Sequence, residues 1–224
     1  MKVSDLKEIY KLMNCGGLID EINIKPDGTI VGVDAGKTFI ASLKYPITIP
    51  NELCLQNIKG IVGIAEKFSD CELSEVDGRL HINEGKKFAH LLLKAPTTLG
   101  FNLPEYTNEN YDVIITGVPH TTLNALGKFR ADSLVNELYY FFIQDDDLML
   151  RIGSEDSHVV GDIVAKATKS KSTFSSKFTM NVSECFKNIF TNANIYMIQD
   201  KIMIVECVTE KYTVRYYLAP RVDS

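Results

Sequence analysis

The 224-residue sequence predicts an α+β fold of two similar domains, each with two helices packed on antiparallel sheets. Three observations carry that expectation. First, the segments Lys87-Phe88-Ala89-His90-Leu91-Leu92-Leu93-Lys94-Ala95-Pro96 and Lys211-Tyr212-Thr213-Val214-Arg215-Tyr216-Tyr217-Leu218-Ala219-Pro220 are both apolar strands stopped by Ala-Pro, 124 residues apart (211 minus 87). Proline has no N–H for a central ladder, so it ends a strand or sits at its edge. Second, turn signals recur near the same offset. Asp77-Gly78-Arg79-Leu80 has a counterpart in Asp200-Lys201-Ile202-Met203, and Ile24-Lys25-Pro26-Asp27-Gly28-Thr29-Ile30 has one in Ile143-Gln144-Asp145-Asp146-Asp147-Leu148-Met149. Third, four helical stripes alternate with short strands, so that each half reads strand, helix, strands, helix, strands.

In chain order, residues 4–14 place Leu6, Ile9, Tyr10 and Met13 on one stripe, the spacing of a half-buried helix, with Ser4 as N-cap and Gly16-Gly17 as stop. Strands follow at 19–24, 29–33 and 39–45. A second helix is expected over 53–68 from Leu55, Ile58, Ile61, Val62 and Ala65. Its Gly60 and Gly63 each cost about 1 kcal/mol relative to Ala; they fit either a close approach of another surface or a weak helix held by packing. Strands at 71–75, 80–83 and 88–94 complete the half. Residues 97–110, with Pro104 and three Asn, read as a linker, giving domains 1–100 and 112–224 joined by a loop over 101–111. The third helix is expected over 119–131 from Thr122, Leu126 and Phe129. The fourth, over 181–191, shows Val182, Cys185, Phe186 and Ile189, capped by Asn181.

Composition excludes several classes. The length suits two domains of about 100–120 residues, each with its own core. The first residues do not read as a signal peptide, and no apolar run approaches the roughly 18 residues that span a membrane. Five cysteines, an odd number without a C-x-x-C pair, read as reduced thiols in a cytosol-like compartment. A net charge of −5 argues against gripping nucleic acid with the whole surface. The run Asp145-Asp146-Asp147 reads as a polar turn between apolar strands, with a divalent-metal site as the alternative. His81, His90, His120 and His158 are scattered without ligand spacing, and neither a Ser-His-Asp order nor a Gly-rich phosphate loop is present. Hence no catalytic residue, metal site or cofactor is expected. Lys166, Lys169 and Lys171, followed by serines, read as an exposed hairpin loop or as a basic fringe beside DNA.

The sequence Tyr216-Tyr217-Leu218-Ala219-Pro220-Arg221 resembles the carboxyl-terminal strand of the eukaryotic and archaeal sliding-clamp family, that of proliferating cell nuclear antigen. Helix spacing and two-domain length also resemble the trimeric clamps of T-even-like phages. The close motif covers about ten residues, whereas the organisation covers nearly the whole chain. This resemblance implies a DNA clamp fold and a homotrimeric ring whose helices line a hole around duplex DNA, without reading its sequence. A DNA polymerase and an ATP-dependent clamp loader are the implied partners, with no membrane and no enzymatic activity. The implied location is the cytoplasm of a bacterial host for a phage protein, or the nucleus for a eukaryotic one.

Such a ring needs cations on its inner helices and few base-reading groups. The expected DNA-facing residues are Lys7 and Lys11 on the first helix, Lys59 and Lys67 on the second, Lys128 beside Asn124 on the third, and Lys187 on the fourth. Neighbouring acids (Asp5, Glu8, Glu66, Asp132, Glu184) keep the field modest, and Arg130 lies nearer the apolar edge. The resemblance also implies a pocket for a partner peptide, walled by Tyr217, Ala219 and Pro220, floored by Val33, and flanked by Phe101 and Leu103 of the linker. The chain stops at Ser224 without a long acidic tail. By family order, ring closure would use the strands near 70–75 and 172–178. Two other readings are a monomeric or dimeric processivity factor that binds DNA directly, and a metal-dependent hydrolase or nuclease built on Asp145–Asp147 and a nearby His.

Overall fold

Backbone reversals in this chain are made by short polar residues that accept a positive φ, and they set the strand pairing. Asp77 (φ 52°) and Gly78 (φ 71°) form a two-residue loop between the paired residues Val76 and Arg79. Asp145 (φ 52°) and Asp146 (φ 65°) do the same between Gln144 and Asp147. Two successive positive φ values define the hairpin turn whose twist matches that of its strands. The acidic run is therefore a turn, and among the described residues no group of three His, Cys, Asp or Glu is placed to hold a metal ion.

The computed structural model describes residues 1–95, 103–128, 138–154 and 157–221, with backbone alone at 154 and 157–163. The chain divides into two units. Unit 1 is Met1–Asn102 together with Glu210–Val214; unit 2 is Leu103–Thr209 together with Arg215–Ser224.

Unit 1 contains α1 (Val3–Met13), β1 (Glu21–Ile24), β2 (Thr29–Val33), β3 (Phe39–Lys44), β4 (Leu53–Gln56), α2 (Ile58–Ala65), β5 (Leu73–Val76), β6 (Arg79–Glu84) and β7 (Lys87–Leu92). Its strands are ordered β4-β1-β2-β3 and β5-β6-β7, and every pair is antiparallel. Unit 2 contains β8 (Val113–Val118), α3 (His120–Lys128), β9 (Leu138–Gln144), β10 (Asp147–Ser154), β11 (Ser157–Lys166), β12 (Ser175–Phe178), α4 (Asn181–Lys187), β13 (Ala193–Ile198), β14 (Ile202–Val208) and all but the first two residues of β15 (Thr213–Leu218). Its orders are β12-β9-β10-β11 and β8-β13-β14-β15.

These orders are the same path traced twice. The turn before β2 matches the one before β10, the turn before β6 matches the one before β14, and β7 matches β15, as the sequence repeats anticipated. In unit 1 the counterpart of β8 shrinks to a bridge between Lys2 and Glu72, in which the Leu73 N–H donates to the Met1 carbonyl at 2.7 Å.

Two helices differ from expectation at their starts. Residues 53–56 are a strand, not the first turns of the second helix: Leu53 and Leu55 lie opposite Ile24 and Ile22, and Asn57 at φ 53° separates strand from helix. A short apolar run satisfies either period, and here an available strand edge decides. The first helix begins one residue early, at Val3. Ser4 is not its N-cap; instead the Ser4 N–H donates to Asp70 and the Lys2 N–H donates to Asp5, both at 2.8 Å. The fourth helix is shorter than expected, ends at Lys187 and follows Met180 as N-cap, so that Asn181 is its first residue. Residue 129 and the rest of the third helix's expected end lie outside the described residues.

The helical glycines now divide. A Cβ at Gly60 would meet the Asn57 side chain at 2.6 Å, the side chain that caps α2 by accepting the Gly60 N–H at 3.0 Å. A Cβ at Gly63 would meet nothing within 4 Å, so the fold gives it no packing role. Gly127, which no spacing in the sequence marks out, is where α3 and α4 touch. A Cβ there would lie 2.8 Å from the Lys187 nitrogen and 2.9 Å from the Ser183 oxygen. The Ser183 hydroxyl donates to the Gly127 carbonyl at 2.6 Å, and Asn124 donates to the carbonyls of Phe186 and Ile189 at the end of α4. Among the described residues no helix is long and apolar enough to cross a membrane.

Candidate nucleic-acid and partner surfaces

In unit 1, α1 buries Val3, Leu6, Ile9, Leu12 and Met13, which turns Lys7 and Lys11 outward; both are exposed. On α2, Ile58, Ile61, Val62 and Ala65 are buried and Lys59 is exposed on the same helix as the bare backbone of Gly63. Lys67 is exposed but sits in the turn after α2 rather than on it. In unit 2, Lys128 is the exposed last residue of α3. Lys187 is half-buried and ion-paired with Glu184 at 3.0 Å, so it adds less charge than the other five. Arg130 and Asp132 lie outside the described residues.

One acid near these lysines is neutralised by other partners. Glu8 accepts hydrogen bonds from Lys211 and from the Tyr45 hydroxyl, the latter at 2.5 Å, and the Lys211 ammonium lies 4.8 Å from the Tyr45 ring centre. Partial burial works to raise the Glu8 pKa, but the hydrogen bonds from Lys211 and Tyr45 outweigh it and leave the carboxyl below its usual value. Burial, reinforced by Glu8, pushes the Tyr45 hydroxyl up to about 12.

The residues expected to form the partner pocket are distributed as follows. Val33, half-buried at the end of β2, belongs to unit 1; Leu103, Tyr217, Ala219 and Pro220 belong to unit 2. Tyr217 is buried, Leu103 and Pro220 are half-buried, and Ala219 is exposed. Phe101 lies outside the described residues. Sequence reasoning missed the polar network that holds Tyr217. Arg215 bonds to the Tyr217 hydroxyl and donates to Glu206 at 2.7 Å, while the Tyr196 hydroxyl donates to the same carboxylate at 3.1 Å. Tyr111 packs on Tyr196 with ring centres 5.0 Å apart, Tyr106 packs on Tyr111, and Lys201 stands over Tyr106. Alternation along 194–198 was the available signal, because Asn194 and Tyr196 share the strand face opposite Ile195 and Met197.

The basic loop is tied down. Lys169 donates to the carbonyls of Asn108 and Glu109, and Lys171 pairs with Asp112 at 3.6 Å. The four histidines include one close pair, His81 and His90, stacked across β6 and β7 with ring centres 3.9 Å apart.

The strands suggested by family order, β5 and β12, each end a sheet. Glu72, just before β5, bridges to Lys2, and the Lys177 carbonyl of β12 accepts the Arg221 N–H at 2.8 Å. Two further strands end these sheets, β7 and β11; β7 carries the exposed apolar side chains Phe88 (67%) and Leu92 (80%). Phe88, His90 and Leu92 alternate with Ala89 and Leu91, so that neither face of the strand is uniformly polar.

No protein-family profile matches the chain, and no curated protein matches it in sequence. Solved structures do match in shape. Proliferating cell nuclear antigen from Entamoeba histolytica superposes with a TM-score of 0.70 at 15% identity, over 99% of this chain and 96% of that one. A. fulgidus PCNA, solved with the C-terminal region of FEN-1 bound, gives 0.70 at 16% identity over 100% and 98%. PCNA from Thermococcus kodakaraensis gives 0.70 at 15% over 96% and 97%. At these identities the likeness is one of fold, and it runs nearly the full length of both partners: this chain has the DNA sliding-clamp fold of proliferating cell nuclear antigen.

Proposed function

We propose that the protein is a DNA sliding clamp and polymerase processivity factor, in which three copies close head to tail around duplex DNA and act by enclosure rather than by catalysis. The observation that carries this reading is the likeness to clamps along the entire chain. Three further features support it. Exposed lysines recur on helices of both units, suited to phosphates and not to bases. Two sheets end in strands open to pairing, and joining β7 of one copy to β11 of the next would extend both ladders through different edges, the arrangement that generates rings. Phe88 and Leu92 would be covered by that junction. Three subunits carry −15 in total (three times −5), so an open subunit binds DNA poorly and a separate ATP-driven loader is needed. Tyr217, Ala219 and Pro220 are the residues assigned to the docking of partner peptides.

Light scattering after size exclusion tests the ring. The expected mass is about 75 kDa, three times the 25.1 kDa chain. The double variant Phe88→Asp/Leu92→Asp is expected to run as a folded single chain. A wild-type protein that remains a single chain at all concentrations, with and without DNA, would remove the ring and leave only the fold.

A further inference from the structure

We infer that the outer face of the β12-β9-β10 sheet in unit 2 is a docking surface for an acidic peptide segment of a protein partner, separate from the residues assigned above to DNA and to partner peptides. The inner face is settled by burial: Tyr139, Phe141, Leu148, Leu150, Ile152 and Phe178 are all in the core. Strand alternation then turns Lys177, Tyr140 and Arg151 to the other side. Register places these three in one line across the strands, Lys177 opposite Tyr140 and Tyr140 opposite Arg151. The line continues past the edge of β12, where the Arg221 N–H bonds to the Lys177 carbonyl. Two strand spacings separate Lys177 from Arg151, roughly 9.5 Å between their backbones, a span that one extended peptide covers. The adjacent line, Ser175, Phe142 and Met149, carries no charge.

The cations are held rather than loose. The Arg151 guanidinium lies 5.2 Å from the Phe142 ring centre, and the Lys177 ammonium lies 5.8 Å from that of Tyr140. Such contacts fix long side chains in place before a ligand arrives. In a chain of net charge −5, this line and the apolar strip beside it bring two cations, Lys177 and Arg151, and no acid. Arg, Tyr, Phe and Met are also the residues enriched at protein interfaces. Charge complementarity therefore selects an anionic occupant. The choice between anions follows from the rings. Single-stranded nucleic acid stacks its bases on aromatic faces left open for them, whereas here each ring already carries a cation, and what is presented outward is positive charge beside aliphatic and aromatic edges. Carboxylates with one apolar anchor match that arrangement.

The probe is a fluorescein-labelled glutamate-rich peptide carrying one phenylalanine, followed by fluorescence anisotropy against the full chain. Saturable binding that weakens with added salt is expected, together with a fall of about tenfold in affinity, the equivalent of 1.4 kcal/mol, in Arg151→Gln/Lys177→Gln. The single variants Arg151→Gln and Lys177→Gln, and the melting curve of each, guard against a fold defect. Lys7→Gln/Lys11→Gln on α1 is expected to bind the peptide as the wild type does. The inference is overturned if the wild type does not bind, if the peptide with Gln for every Glu binds equally, or if the double variant retains full affinity. Tighter binding of oligothymidylate than of the peptide, abolished in the same double variant, would assign the face to nucleic acid instead. None of these readouts requires a closed ring, so they stand apart from the clamp proposal.

Discussion

Glu8 shows how one side chain on a lysine-bearing helix is kept from cancelling its neighbours. It is bound by Lys211 and Tyr45, residues far from it in sequence, and its charge is engaged there. The folded carboxyl titrates below its ordinary value of 4.5. Its contribution to stability is therefore present above that value and is lost as pH falls through the lower folded pKa. Thermal melts from about pH 3 to pH 7 should show Glu8→Gln less stable than wild type near neutrality, with the gap closing on the acid side. A constant gap would mean that shape rather than charge makes the contact. The burial of Glu206 follows similar logic: Arg215 and Tyr196 satisfy both its oxygens, so a carboxylate is tolerated inside β14.

At the scale of elements, the contact between α3 and α4 depends on an absent side chain. Ala is normally worth about 1 kcal/mol over Gly in a helix. At Gly127 the nearest atoms in the way are backbone atoms of α4, which cannot rotate aside. Gly127→Ala is therefore expected to cost about 1–3 kcal/mol from overpacking, lowering Tm by roughly 2–4 °C for each kcal/mol in a chain of this size. Gly63→Ala on α2 meets open space and should raise stability by about 0.5–1 kcal/mol. Calorimetry on the two variants gives opposite signs if the helix contact is as close as described. Neither glycine announces its role by spacing, since α2 and α3 each carry glycine on an otherwise amphipathic pattern.

For the whole molecule, the proposed ring predicts that DNA binding and assembly separate. Lys7→Gln, Lys11→Gln and Lys59→Gln together should leave the mass in solution unchanged while weakening retention on DNA. Every lysine that neutralises a phosphate adds about 0.9 to the slope of log affinity against log salt, so its replacement by Gln should flatten that slope by the same amount. Retention unchanged by all three substitutions would remove the helical lysines from the DNA surface. The junction variant Phe88→Asp/Leu92→Asp should do the reverse, abolishing the mass increase without touching those lysines.

Much of this architecture was legible in residue order. Duplication, hairpin turns and most strands follow from signals two to six residues long, because φ preferences of Asp and Gly, proline's missing donor and side-chain alternation all act locally. The lysines on helical faces were legible for the same reason, as was the apolar stripe of α1. What tertiary structure alone decided involves groups distant in sequence or a choice among local options. Residues 53–56 became a strand because the edge of β1 was there to pair with. Glu8 met Lys211 and Tyr45, and Gly127 met the backbone of α4, partners that no local signal names. A sequence states what each residue can pair with; which partner it meets is decided by hydrogen-bond satisfaction and burial summed over the folded chain.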